Sequence, residues 1–425
     1  MTTDAHPAAV AADPAGPAAE PGPAALTPRC PVVDYDFADP ELRAGLHARL
    51  TQLRGECPVG WSEQYGGFWL LTTYADVLDA ARDHERYTTT QGIMIPPTGA
   101  SMRVIPAELD PPEHTPYRKL ALPYFTARAI GQLAPEIREI VRGCLAAFVA
   151  DGHTDLVQSV AEVVPPLVIG AALGLDPADC RDIRELAGNF LSSAKVGLEA
   201  KIRAAKELEA WLEDRIAARR EQPTADTLSA LVNATVNGAP IPPTTALGMV
   251  QLMVVAGHET TVHGIGSMLF RVAAEPGLRE RLLADPSLLP ATVHESLRID
   301  PPIMHMARTS VGDHERGGSE LRDGDKVMLH YGAANRDPAK FDHAAEFDVD
   351  RSPNQHLSFG TGRHRCIGEH LAVTEMLIVL EEVLATIPDY QITGERDMTK
   401  IRWRGGSNTL GPERLEVTFT PVRDA

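Results

Sequence analysis

Phe359-Gly360-Thr361-Gly362-Arg363-His364-Arg365-Cys366-Ile367-Gly368 holds the most informative of the chain's five cysteines. Two glycines before Cys366 and one after it let backbone amides approach the sulfur, and such amides, with flanking cations, favour a thiolate. The run 369–384 reads as a helix. Cys366 therefore stands where amides are unpaired and the helix dipole favours negative charge, which suits a thiolate ligand to a metal. A free cysteine is more commonly just a small buried residue. The glycine frame and His364 argue for the ligand.

This pattern resembles the cytochrome P450 family, whose fingerprint Phe-Gly-x-Gly-x-(His/Arg)-x-Cys-x-Gly is matched at every fixed position. The resemblance implies that Cys366 binds the iron of haem b. It also implies that Phe359, Gly360 and Gly368 shape the loop around the cofactor, with His364 as a partner of a haem propionate.

Upstream, Pro242-Pro243 starts and Pro276-Gly277 stops a periodic segment of about thirty residues, which as a helix would run roughly 45 Å. Its middle reads Ala256-Gly257-His258-Glu259-Thr260-Thr261, an acid and hydroxyls within an apolar helix. An unpaired buried carboxylate is costly, so function explains Glu259 better than packing does. Gly257 weakens the helix and Thr260 can divert a backbone hydrogen bond, so a local opening that admits water is expected. The resemblance assigns Glu259 and Thr260 to the acid-alcohol pair that delivers protons during dioxygen activation. His258, on another face, reads as structural.

The segment 288–299 is helical and contains Glu295-Ser296-Leu297-Arg298, whose charged ends share a face. Alone such a pair is a weak signal. In the P450 family the Glu-x-x-Arg motif joins an arginine from a later loop, here Arg351, with Arg336 as its rival. The short strands 306–310, 320–321 and 326–329 follow, and the resemblance gives Arg308 a propionate to bind. Strands or hairpins are also expected at 390–392, 403–406 and 415–420.

Nearer the start, the patterns predict a helix over 40–53, a strand over 68–73 and a helix over 74–82. The irregular stretch 88–109 exceeds the usual loop length, and its Ile93, Met94, Ile95, Met102, Val104 and Ile105 would be wasted on a solvated loop. The helix opened by residues 110–118 carries His114 and Arg118 on one face, which in the P450 family meets the propionates. Further helices are expected at 130–150, 156–173, 177–191 and 200–220. No internal repeat and no Gly-rich phosphate loop is present in the sequence.

The length of 425 residues with 44% hydrophobic content supports a sizeable core, and a net charge of -18 argues against nucleic acid as a partner. The cysteines are odd in number and lack Cys-x-x-Cys spacing, so neither a disulfide framework nor a zinc site is expected. Residues 1–30, rich in Ala and Pro, read as a disordered tail. No window reaches the roughly 18 apolar residues of a membrane span. A soluble, cytoplasmic enzyme of bacterial type is expected.

The fold class expected is therefore mainly α with a smaller β region, a P450-like single domain over 31–425. The resemblance implies a haem-thiolate monooxygenase that uses dioxygen to hydroxylate or epoxidise a mostly apolar small molecule. Electrons would come from a separate ferredoxin and ferredoxin reductase, steered to Arg363 and Arg365 near the cysteine. The substrate contacts expected are Met94, Ile95, Val254 and Met304, with Val255, Ile303 and Met306 nearby and Arg103 and His305 as polar contacts. A peroxide-driven or oxidative coupling enzyme, and a haem-binding sensor without catalysis, are the other classes compatible with these motifs.

Overall fold

A computed structural model describes residues 32–96, 103–193, 198–396, 403–404 and 408–422. The expected tail 1–30, Met102 and residues 405–406 of the expected terminal strand lie outside them. The architecture is mainly α with a smaller β region.

The helices start and stop where local chemistry directs. Tyr74–Arg82 matches its expected bounds because the Thr73 side chain accepts the Asp76 amide, while Val77, Ala80 and Ala81 turn inward. The helix expected over 40–53 is instead split at Gly45 into Pro40–Ala44 and Leu46–Glu56. That expected over 156–173 is also divided: a π-helical turn, Val157–Ala161, precedes Val164–Leu173. Pro165 and Pro166 lack the amides that would continue the ladder, so the second helix begins with them in its first turn.

The helix Pro243–Ala274 is the axis of the molecule, 32 residues or about 48 Å. It packs against Val164–Leu173, Pro177–Ser193, Leu198–Glu221, Leu289–Ile299 and Glu369–Thr386, which explains why it is apolar on nearly every face. Gly257 corrects one expectation. The helix is unbroken there, and the glycine serves close packing instead: a Cβ would lie 3.2 Å from Ile169 Cδ1.

The sheet lies on the side of the amino-terminal helices. Its five strands run in the order Val59–Ser62, Phe68–Leu71, Lys326–Leu329, Met306–Ser310 and Tyr87–Thr88. Phe68–Leu71 is buried at every position and pairs antiparallel with Val59–Ser62 and parallel with Lys326–Leu329. The strand Val59–Ser62 carries Gly60 and too short a pattern to be seen in the sequence. Across the next pairing Val327 faces Arg308, so the sheet carries a buried arginine. Among the described residues, no helix is long and apolar enough to cross a membrane.

Candidate haem-thiolate site

The cysteine loop is built by its backbone. Gly360 and Gly362 take φ of +64° and +69°, a left-handed conformation that side chains disfavour. The Gly360 amide donates to the Leu357 carbonyl at 2.8 Å, and the Cys366 amide closes the loop onto the Phe359 carbonyl at 2.8 Å. At Gly362 the loop rests against the end of Tyr74–Arg82, where a Cβ would come within 3.0 Å of the Ala81 carbonyl oxygen. Gly368 then leads into Glu369–Thr386.

Burial raises the Cys366 thiol pKa, and the Glu369 carboxylate adds to this; the Gly368 amide, Arg118 and Arg365 pull the other way. Arg365 offsets Glu369 further by holding it with two bonds of 2.6 Å. Despite its depth, Cys366 is exposed to solvent-sized contact. A side chain that is both surrounded by protein and accessible faces an internal hollow. Ala256, a small apolar residue midway along the long helix, is also exposed.

Beside the cysteine loop lies a cluster of donors. His114 and His364 meet edge to face at 4.7 Å between ring centres, and the Nε2 atom of each is buried without a hydrogen-bond partner among the described residues. Burial, Arg308 and His114 push the His364 pKa down to about 3, so this imidazole is neutral. Arg308, only 4% exposed, donates to the Ala307 carbonyl at 2.8 Å and hydrogen-bonds the Tyr331 phenol. Arg118 donates to the Arg365 carbonyl at 2.6 Å. The acid near His364 is Asp110, 3.8 Å away, and Thr88 and Thr89 already hold it by their hydroxyls. Two guanidinium groups and two imidazole Nε2 atoms without a hydrogen-bond partner among the described residues thus have donors to spare, and a ligand with two carboxylates would engage them. These residues fit the propionates of haem, and the accessible sulfur fits its iron.

On the long helix, Thr260 Oγ1 donates to the Ala256 carbonyl at 2.8 Å and Thr261 Oγ1 to the Gly257 carbonyl at 3.3 Å. Glu259 has a side chain 22% exposed, with Oε1 3.6 Å from His263 Nε2. His258 turns away into the core, where burial lowers its pKa to about 4.

Three of the four expected substrate contacts, Val254, Ile95 and Met304, are buried. Val254 is fully buried in the main core, on the face of the helix that packs against its neighbours. Ile95 and Met304 belong to the smaller core with Phe37, Phe68 and Leu70, and Met304 fills the space a side chain at Gly332 would need. His305 is buried against Phe37 and His330. Met94, Val255, Ile303 and Met306 remain partly accessible. Sequence reasoning missed Asn408 and Thr409. The Asn408 carbonyl accepts the Met304 amide at 2.8 Å and Thr409 bridges Ile303, a contact between distant segments with no local signal.

Glu295 and Arg298 form a buried pair with bonds of 2.7 and 2.8 Å. Arg351 is the third member, its Nε 3.2 Å from Glu295 Oε1, whereas Arg336 turns to Asp300 and the Ile299 carbonyl. Arg298 also donates to the carbonyls of Asn335, Ala344 and Glu346. Asn335 in turn accepts the Leu357 amide and donates to Ser358, so the cluster leads directly into the cysteine loop.

Comparison with known proteins points the same way. The family model for cytochrome P450 matches residues 190–387. The chain is 35% identical to the mycinamicin IV hydroxylase/epoxidase of Micromonospora griseorubida, over 83% of this chain and 89% of that protein. It is 32% identical to the steroid C26-monooxygenase of Mycolicibacterium smegmatis, over 84% of this chain and 88% of that protein. Among solved structures, the cytochrome P450 PksS of the Bacillus subtilis bacillaene polyketide synthase superposes with a TM-score of 0.84 at 28% identity. That match spans 91% of this chain and all of the other. With the cysteine loop, the donor cluster and the Glu295 triad in place, these similarities show that the chain belongs to the cytochrome P450 family, whose prosthetic group is haem b.

Proposed function

We propose that this P450 monooxygenase hydroxylates or epoxidises a mostly apolar natural-product or steroid-like skeleton, with electrons from a separate ferredoxin and its reductase. The observation that carries the reading is the exposed Cys366 beside a cluster of arginines and histidines in which the two imidazole Nε2 atoms have no hydrogen-bond partner among the described residues. The names of the relatives, a macrolide hydroxylase/epoxidase and a steroid monooxygenase, support the substrate class. Residues 31–425 act as one haem-binding unit, in the cytoplasm.

Haem bound through a thiolate supplies dioxygen binding and O–O cleavage. The chain's own residues do the rest. Cys366 donates the sulfur, and the loop formed by Phe359, Gly360 and Gly368 holds it in place. His114, Arg118, Arg308 and His364 hold the cofactor's carboxylates. Thr260, its proton committed to the Ala256 carbonyl, presents oxygen lone pairs that anchor water. Glu259 passes protons to that water. Met94 and Val255 offer apolar surface to the substrate, whose burial at about 25 cal/mol per Å² supplies affinity. For the ferredoxin, Arg363 is exposed, whereas the charge of Arg365 is already matched by Glu369.

The test is reconstitution of the haem-loaded protein with a bacterial ferredoxin and reductase, beside a reaction with hydrogen peroxide alone. Product formed with ferredoxin and NAD(P)H, slowed by added salt and by Arg363→Glu, is the expected result. Turnover with peroxide only would overturn the electron source. A normal red-shifted ferrous carbonyl band in Cys366→Ala would overturn the ligand.

A further inference from the structure

We infer that His263 is a positioning residue for Glu259, holding its carboxyl turned inward along the long helix by donating the Nε2 proton to it. The inference rests on the proposed role of Glu259 as the proton-delivering acid, and goes beyond it in saying what aims that acid.

His263 stands one turn beyond Glu259 on a mostly apolar helix, at the spacing that lets two side chains meet. It is 1% exposed, and neither ring nitrogen has a hydrogen-bond partner among the described residues. Leaving both nitrogens of a buried imidazole unpaired is costly. The ring is also confined. The strand Gly411–Pro412 crosses the helix here, so close that a Cβ on Gly411 would overlap the His263 ring. One turn on, a Cβ on Gly266 would stand 2.9 Å from Pro412 Cγ. The imidazole therefore has little freedom to turn elsewhere.

Glu259 has that freedom. Its side chain is partly exposed, and Oε1 lies 3.6 Å from His263 Nε2, a few tenths of an ångström beyond hydrogen-bonding distance. A small rotation of the flexible partner towards the fixed one completes the bond and satisfies the imidazole. His258, the other histidine that feels the charge of this acid, is buried in the core, and among the described residues the imidazole paired with Glu259 within 4 Å is that of His263. Without His263, the carboxyl of Glu259 is released to the solvent it already touches.

The experiment uses the haem-loaded enzyme with its electron donors and measures the rate of product formation and the fraction of electrons recovered in product. Glu259→Gln, His263→Leu and the double variant form a cycle, with His263→Gln and His263→Asn as polar replacements of different reach. Carbonyl difference spectra check that each variant is loaded. If His263 acts through Glu259, His263→Leu lowers coupled turnover on the order of tenfold, the loss of one charge-assisted hydrogen bond. The double variant is then no slower than Glu259→Gln. His263→Gln, whose amide reaches the same oxygen, keeps most of the rate, and the shorter His263→Asn does not. A crystal structure of the loaded wild type should show Nε2 and Oε1 within about 3.2 Å.

Losses that multiply in the double variant would overturn the inference, as would full coupling in His263→Leu or a Glu259 carboxyl turned to solvent in the crystal. The two polar replacements decide the matter if His263→Leu does not fold: equal rates for both would overturn it. An unaltered Glu259→Gln would overturn the reading of Glu259 itself.

Discussion

Glu295→Gln keeps the shape of the side chain and removes its charge, so it isolates the contribution of the buried triad. In the wild type both carboxylate oxygens are fully engaged: Arg298 takes one bond to each, Arg351 and the Asp348 amide take Oε1, and Asn354 takes Oε2. Arg298 is 0% exposed and retains three carbonyl acceptors, which carry no charge to balance its own. The glutamine amide also turns a donor towards a guanidinium or the Asn354 amide. Breaking one partner out of a buried pair costs about 3–5 kcal/mol. At roughly 2 °C per kcal/mol for a chain of this size, the melting temperature should fall by about 6–10 °C. Because Asn335 and Ser358 link this cluster to the cysteine loop, haem retention should fall as well. Thermal melts followed by circular dichroism, with the ferrous carbonyl spectrum as a measure of loaded protein, test both. A variant melting within about 1 °C of wild type with full haem content would refute the argument. Arg351→Ala should show part of the same loss, and Arg336→Ala should act through Asp300 instead.

Thr260→Ala should still bind substrate and accept electrons but release more of them as hydrogen peroxide, which a peroxide assay during turnover measures. Gly362→Ala combines a left-handed φ with a Cβ 3.0 Å from the Ala81 carbonyl oxygen, and should cost about 1–2 kcal/mol in unfolding experiments. Val254→Ala should lose about 2–3 kcal/mol of stability in the same measurement and leave ligand affinity unchanged, since the side chain is core. Met94→Ala should do the reverse, weakening an apolar ligand in a spectral titration with little change in stability.

Most of the helices were legible because their signals are local. Thr73 as a cap, prolines in first turns and glycines at the ends act within one or two turns, so Tyr74–Arg82 and Pro243–Ala274 follow their sequence patterns closely. The cysteine loop is legible for the same reason, since its glycines, cations and following helix are contiguous. The sequence also places Glu295 and Arg298 on one face. It could not choose between Arg351 and Arg336, because both loops carry the right charge and only the path of the chain brings Arg351 Nε to 3.2 Å from Glu295. The burial of Val254, Ile95 and Met304 was hidden likewise. Hydrophobicity says that a side chain avoids water, and the packing of neighbouring helices and sheet decides whether it does so in a core or at a cavity. His263 shows both halves of the matter. Its spacing from Glu259 is written in the sequence. Its confinement is not, because Gly411 and Pro412 come to it from a strand nearly one hundred and fifty residues away, brought there by tertiary packing alone.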